Sequence, residues 1–342
     1  MSPRAPRNSG PSGPRRPGGP APRPSAFRVE QLLRQARLEP DGRRFADDAA
    51  FTDWLAEGNE AALLAAREAT VAADPRERAQ DLAFEAYELP ATKALAAAKR
   101  ALKLDPACLD AQAIKAYVTS GDSAALIATI EDMLAAAEET YGPAFFADAA
   151  GDYWSLVPAR PYLRTARQLA ELLWDSGYRL DAVAWYEFLM ELDPEDHSGN
   201  AALLVGHYLA MGEVQRAWDM LEQYDPGDSA LMAWAWVLLY LLVDDEDAAR
   251  TGLDRALALN PYAATGILGL GDEPVRETLP YVAAGSQAEA NVCDQVLGEA
   301  WDRAPFAQDW LEDVMVALGL LDGDPDDDGD GNPPPPPLRI VN

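Results

Sequence analysis

Between residues 27 and 321 apolar side chains recur at three- and four-residue spacing, the period that gathers them on one face of an α-helix. No stretch alternates as a half-buried strand does, so the pattern predicts an all-helical body. The N-terminal end is expected to be capped by helices at 27–38 and 47–72, within a capping segment 27–72. A hairpin is expected from 79–89 with a second helix around Ala94, Ala101 and Pro106. Another should cover 110–141 and turn near Gly121. From Pro143 to Pro161 the pattern lapses into an aromatic-rich connector holding Phe145, Phe146, Tyr153 and Trp154. After Pro261 it predicts an irregular stretch, then helices near 287–302 and 305–320. The flanks carry no such pattern. Residues 1–26 are Pro, Gly, Arg and Ser, and 322–342 are an acidic run, five prolines and Leu-Arg-Ile-Val-Asn. With so little to bury, both are expected to be disordered tails.

The pattern also repeats. Windows beginning at Leu163, Ser198 and Ala230 lie 35 and 32 residues apart and agree in character column by column. Ala166 falls on Ala201 and Ala233, Ala170 on Val205 and Val237, and Leu173 on Tyr208 and Tyr240. Gly177 and Gly212 share a column with Asp244. Ala182, Ala217 and Ala249 align, then Tyr186, Leu221 and Leu253. Pro194 and Pro261 close two of the units. A helical hairpin cannot bury its apolar face alone and must stack on its neighbours. Where helices cross closely only a small side chain fits, hence the alanine column. The turn favours glycine because a left-handed backbone is cheap there. A proline after the second helix stops it.

These offsets bracket the 34-residue tetratricopeptide period, and the chain resembles that repeat family over about two thirds of its length. The expected fold is all-α: a right-handed tetratricopeptide-like superhelical solenoid of about five hairpins, with repeats over 73–263 and a C-terminal helical segment, 264–321, packing on them. Within the family it is similar to bacterial members grouped with the suppression-of-tumorigenicity proteins. The carriers are Arg160-Pro161-Tyr162-Leu163-Arg164, Leu172-Leu173-Trp174 with Gly177, Ala182-Val183-Ala184-Trp185-Tyr186, Asn260-Pro261-Tyr262, and Leu279-Pro280-Tyr281 with Gly285-Ser286. Where such relatives carry an Asp-Asn-Gln-Gly turn, this chain has Asp196-His197-Ser198-Gly199. The resemblance implies a scaffold for another protein and implies no reaction.

Composition narrows the partner. The formal net charge is −29, although residues 1–26 hold five arginines and no acid. So acidic a body repels phosphate backbones, and nucleic acid is not expected as a partner. No run approaches the ~18 apolar residues of a membrane span, and no apolar stretch follows the N-terminal arginines as in a secretory signal. A cytoplasmic protein is expected. Four lysines against 24 arginines, with abundant alanine, suggest a GC-rich bacterial genome.

The inventory of reactive groups is short. Cys108 and Cys293 match no metal spacing and no disulfide framework. His197 and His207 lie in an inter-repeat turn and in the helix after it, not at the four-residue spacing of a helical metal pair. Asp324, Asp326, Asp328 and Gly329 begin like a calcium loop, but its twelfth position, which needs a bidentate Glu, is Pro335. The five prolines read as a stiff spacer. No phosphate-binding glycine loop or nucleophile elbow is present. Neither an enzyme, a cofactor nor a metal is expected.

By family geometry, positions 2, 5, 9 and 12 of each unit line a concave groove. They are Arg164, Arg167, Glu171 and Trp174, then Gly199, Ala202, Gly206 and Leu209, then Leu231, Trp234, Leu238 and Leu241. Arg167 and Glu171 stand where chaperone-tail binders carry Lys and Asn, so chaperone tails are not the expected ligand. An apolar strip as long as the third set should not stay wet. Helices 287–320 are therefore expected to fold back over it, leaving Arg164, Arg167 and Trp174 as the peptide-binding end. The competing reading has both arginines pairing with Glu171. The function expected is a non-catalytic adaptor holding a protein or peptide of unknown identity. The alternative is a structural subunit whose acidic surface docks a basic protein.

Overall fold

Every regular element among the described residues is helical, and none is a strand. The structure, a computed structural model, describes residues 26–38, 45, 48–149, 151, 153–270 and 282–321. The two expected tails, apart from Ala26 at the start of a helix, lie outside the described residues. So do the Asp324–Gly329 run, the prolines and Leu279-Pro280-Tyr281. The chain divides into two compact units, Met1–Val118 and Thr119–Asn342, so the division falls inside the stretch 73–263.

The first unit contains α1 (Ala26–Leu38), α2 (Asp48–Trp54), α3 (Glu60–Ala73), α4 (Pro75–Tyr87), α5 (Ala91–Leu104) and most of α6 (Leu109–Thr119). The single helix predicted over 47–72 is broken. Gly58 takes φ 102° within a wide turn at Leu55–Asn59, which separates α2 from α3. Asp74 starts α4, its side chain accepting the Arg76 N–H at 2.8 Å, with Pro75 in the first turn. The α4–α5 hairpin packs on alanines: Ala79, Ala83, Ala94, Ala97, Ala98 and Ala101 are all buried, which brings the backbones close. Buried charge beside it is paired. Arg67, 3% exposed, donates to Glu77 at 2.6 Å and to Asp81 at 2.5 Å. Arg34 donates to Glu77 at 2.7 Å. Burial alone would raise the Glu77 carboxyl, but the two guanidinium groups outweigh it and hold it below its ordinary value. Gln80 and Tyr87 of α4 both donate to the buried Asp110 of α6, at 2.6 and 2.9 Å.

The second unit contains α7 (Ser123–Tyr141), α8 (Pro143–Ala149), α9 (Arg160–Asp175), α10 (Arg179–Leu192), α11 (Asn200–Met211), α12 (Val214–Tyr224), α13 (Ala230–Leu242) and α14 (Glu246–Leu259). It ends with α15 (Ala263–Ile267), α16 (Gln287–Asp302) and α17 (Pro305–Ala317). The short α15 occupies part of the stretch expected to be irregular. Three hairpins, α9–α10, α11–α12 and α13–α14, correspond to the three aligned windows. Ala182, Ala217 and Ala249 are fully buried in their second helices, and Ala166, Ala201 and Ala233 are buried in their first. The turns bend through Gly177 (φ 85°) and Gly212 (φ 75°), and in the third hairpin through Asp244 (φ 61°), a left-handed residue with a side chain. Pro194 and Pro261 follow the ends of α10 and α14.

After α14 the chain returns to the first helices. Asn260, fully buried, donates its amide to the Ser286 carbonyl and to Glu289, both at 2.9 Å, which ties the end of α14 to the start of α16. Ser286 caps α16 by accepting the Glu289 N–H at 3.2 Å. From there α16 packs along α11, α13 and α15.

Candidate functional site

The first-helix face was the sequence-derived site, and α16 lies on it. An ideal Cβ on Gly206 of α11 would stand 2.3 Å from the Val296 carbonyl oxygen and 2.9 Å from Val296 Cγ1. Only a glycine permits that approach. On α13, Trp234 and Leu238 are fully buried, and the Trp234 indole N–H donates to the Asn260 carbonyl at 3.2 Å.

On α9 Arg167 is engaged with its own helix and with the loop after α10. Arg167 donates to Glu171 at 3.0 Å and to the Ser198 carbonyl at 2.5 Å. It thereby braces the α10–α11 loop. In that loop Asp196 (φ 54°) caps α11, its carboxylate accepting the N–H groups of Asn200 and Ala201 at 2.6 and 3.0 Å. Burial raises the Asp196 carboxyl, while those two N–H groups work against it. His197 bonds to Asp193 at 2.7 Å and lies parallel to Trp154, with centroids 5.6 Å apart. Arg160 sits 4.0 Å over that Trp154 ring. Arg164 is half-buried.

Trp174 is likewise committed. Its ring stacks on His207 at 3.6 Å, and the Arg179 guanidinium lies 4.5 Å over it while pairing with Glu299 of α16. Burial depresses the His207 imidazole to about 4, against 6.5 when unperturbed. The structure thus gathers Trp174, Arg179, His207 and Glu299 into one joint between α9, α11 and α16. It leaves Arg167 about two turns and Arg164 nearly three turns away along α9.

A second feature had no counterpart in the sequence reading. A cleft of about 520 Å³ is lined by Ala135, Glu138, Glu139, Pro143, Phe146 and Phe188, from α7, α8 and α10. Behind it is an aromatic cluster. Phe146 lies 5.8 Å from Tyr153 and 5.4 Å from Tyr162, and Tyr162 donates its hydroxyl to Glu138 at 2.6 Å. Tyr153 and Tyr162 are fully buried. Burial first, then the neighbouring Glu138, raises the Tyr162 phenol above its ordinary value, so it stays protonated and donating. Glu138, Glu139 and Ala135 are exposed, and Phe146 and Phe188 are half-buried. Phe146 belongs to the aromatic connector, but its nearness to Phe188 could not be read from the chain. The available signal was Glu138-Glu139 placed shortly before Gly142-Pro143 and Phe145-Phe146.

A smaller cleft of about 340 Å³ lies between α10, α11 and α12, and Arg216, paired with Glu187 and 4.5 Å over Tyr208, helps to line it. Burial lifts the thiols of Cys108 and Cys293 to about 12, which keeps both neutral. Among the described residues no group of three or more His, Cys, Asp or Glu is placed to hold a metal. No described helix is long and apolar enough to cross a membrane. No protein-family model matches the chain, and no curated protein matches it.

Proposed function

We propose that this protein is a non-catalytic scaffold of the tetratricopeptide kind, cytoplasmic, whose hairpins form a right-handed superhelical solenoid that holds a segment of another protein. One observation carries the reading: three successive hairpins bury the same small residue, Ala182, Ala217 or Ala249, at the same place in the second helix. A stack built this way presents long helix faces and clefts between hairpins, the surfaces on which repeat proteins hold their partners. With α16 resting on α11 and α13, a segment laid along the first helices meets Arg164, Arg167 and Trp174 on α9 over their existing contacts. The net charge of −29 favours a second reading, an acidic surface that docks a basic protein.

The test is to identify the partner by crosslinked purification from the native host and then titrate the two purified proteins in a calorimeter at low and high salt. Stoichiometric binding that survives salt and weakens in Arg164→Ala supports the groove. Binding that collapses with salt and ignores Arg164→Ala supports acidic docking. If no protein co-purifies in stoichiometric amount, or none rebinds as a pure component, the scaffold reading is wrong.

A further inference from the structure

Among the described residues of the unit Thr119–Asn342 one arrangement is found three times: an arginine set against an aromatic ring and paired with a glutamate. Arg179 lies 4.5 Å over Trp174 and pairs with Glu299. Arg216 lies 4.5 Å over Tyr208 and pairs with Glu187. Arg250 lies 5.6 Å from the Trp310 ring and pairs with Glu246 at 2.7 Å. A guanidinium suits both neighbours, because its flat face stacks on a ring while its edge donates to a carboxylate.

The α7–α10 cleft has the ring and the carboxylates of that arrangement. Phe146 and Phe188 supply aromatic lining, and Glu138 and Glu139 supply acceptors. Among the described residues no arginine or lysine stacks on either ring or pairs with either acid. The electrostatics add to the asymmetry. Glu138 and Glu139 sit in the last turn of α7, which carries no basic residue. Two carboxylates are thus added to the negative end of a helix dipole, where a cation is favoured. Glu138 already accepts from Tyr162, which holds it in place and leaves it further acceptor capacity. The volume of about 520 Å³ admits an arginine head, its stem and part of a neighbouring residue.

We propose that this cleft is a binding site for an arginine side chain presented by a partner protein segment. The proposal rests on the scaffold reading and names the chemistry of the partner. Arginine is favoured over lysine because aromatic lining and two carboxylates suit a flat group with several donors better than a compact, strongly hydrated ammonium.

The experiment is fluorescence anisotropy on the intact protein with a short labelled peptide of alternating Arg and Ala, and its lysine and citrulline counterparts. Lysine keeps the charge and loses the plane, whereas citrulline keeps the shape and loses the charge. The arginine peptide is expected to bind about tenfold more tightly than the lysine peptide, with citrulline weakest. Phe188→Leu keeps an apolar side chain and removes the ring, and should abolish the arginine preference while a cooperative melt shows the fold intact. Glu139→Gln, at an exposed position, should weaken both charged peptides and flatten their salt dependence. Equal binding of the arginine and lysine peptides, unaltered by Phe188→Leu, means diffuse attraction to an acidic protein and overturns the proposal. In that event a non-basic peptide from a random library that binds elsewhere leaves the scaffold reading standing. If no library peptide binds at all, both readings fall.

Discussion

Replacing Gly206 with alanine tests whether α16 is seated on α11. The new methyl would lie 2.3 Å from the Val296 carbonyl oxygen, whereas a carbon approaches such an oxygen comfortably at about 3.3–3.6 Å. One helix must therefore move by about 1 Å, and a gap of that size forfeits a quarter to a half of the dispersion energy along the contact. The residues losing contact include those α16 buries, among them Val292, Cys293, Leu297 and Trp301. Overpacking of this kind costs roughly 1–3 kcal/mol, and the severity of the clash places Gly206 at the upper end. Against it stands a gain of about 1 kcal/mol from replacing glycine inside a helix. The net is a loss of about 2 kcal/mol, or a fall of roughly 4–8 °C in Tm for a unit of this size.

The control is Gly252→Ala in α14. There the nearest heavy atoms would lie 3.5 and 3.7 Å from the new carbon, an ordinary contact. Only the propensity gain remains, so this variant should melt at or slightly above the parent temperature. Calorimetric melts give the stabilities, and reaction of Cys293 with a thiol reagent, located by mass spectrometry, reports whether α16 has loosened. Cys293 is fully buried in the parent and should react faster in Gly206→Ala. If Gly206→Ala instead melts as high as Gly252→Ala and Cys293 stays protected, α16 does not rest on Gly206, and the account of the covered face fails.

Ala182→Leu overpacks the α9–α10 crossing and should cost roughly 1–3 kcal/mol in urea unfolding; a neutral result would remove the reason given for the alanine column. Arg67→Met leaves Asp81 and part of Glu77 without their buried cation and should cost about 3 kcal/mol, since Arg34 still serves Glu77; denaturant midpoints check it. His207 is neutral in the fold down to about 4 but protonates near 6.5 when unfolded, so the unfolded chain takes up the proton first. Stability should fall as pH drops from about 6.5 to about 4, by up to ~3 kcal/mol, and His207→Leu should lack that part of the slope although Arg179 and Glu299 remain beside it.

What the sequence discloses and what it conceals separate along one physical line, the range of the contact. Helix class and hairpin repetition are written locally, since a 3.6-residue period and an alanine at each crossing constrain neighbours in the chain. The Arg167–Glu171 pair is legible for the same reason, its members being one helical turn apart. The break at Gly58 is not, because the apolar period runs on through the glycine that takes φ 102°. Gly206 reads as a weak helical residue until Val296 arrives from far along the chain. Trp174 meeting His207, and Phe146 and Phe188 lining one cleft, depend in the same way on how successive elements are set against each other. Charge links these long-range joints. The chain has 57 acidic side chains and only 28 Lys and Arg, so an internal cation is scarce. Arg179, Arg216 and Arg250 each stand where a ring and a glutamate come together. Where the fold assembles ring and carboxylate at the α7–α10 cleft, no arginine among the described residues stacks on the rings or pairs with the acids, and this is the place proposed for an arginine from outside.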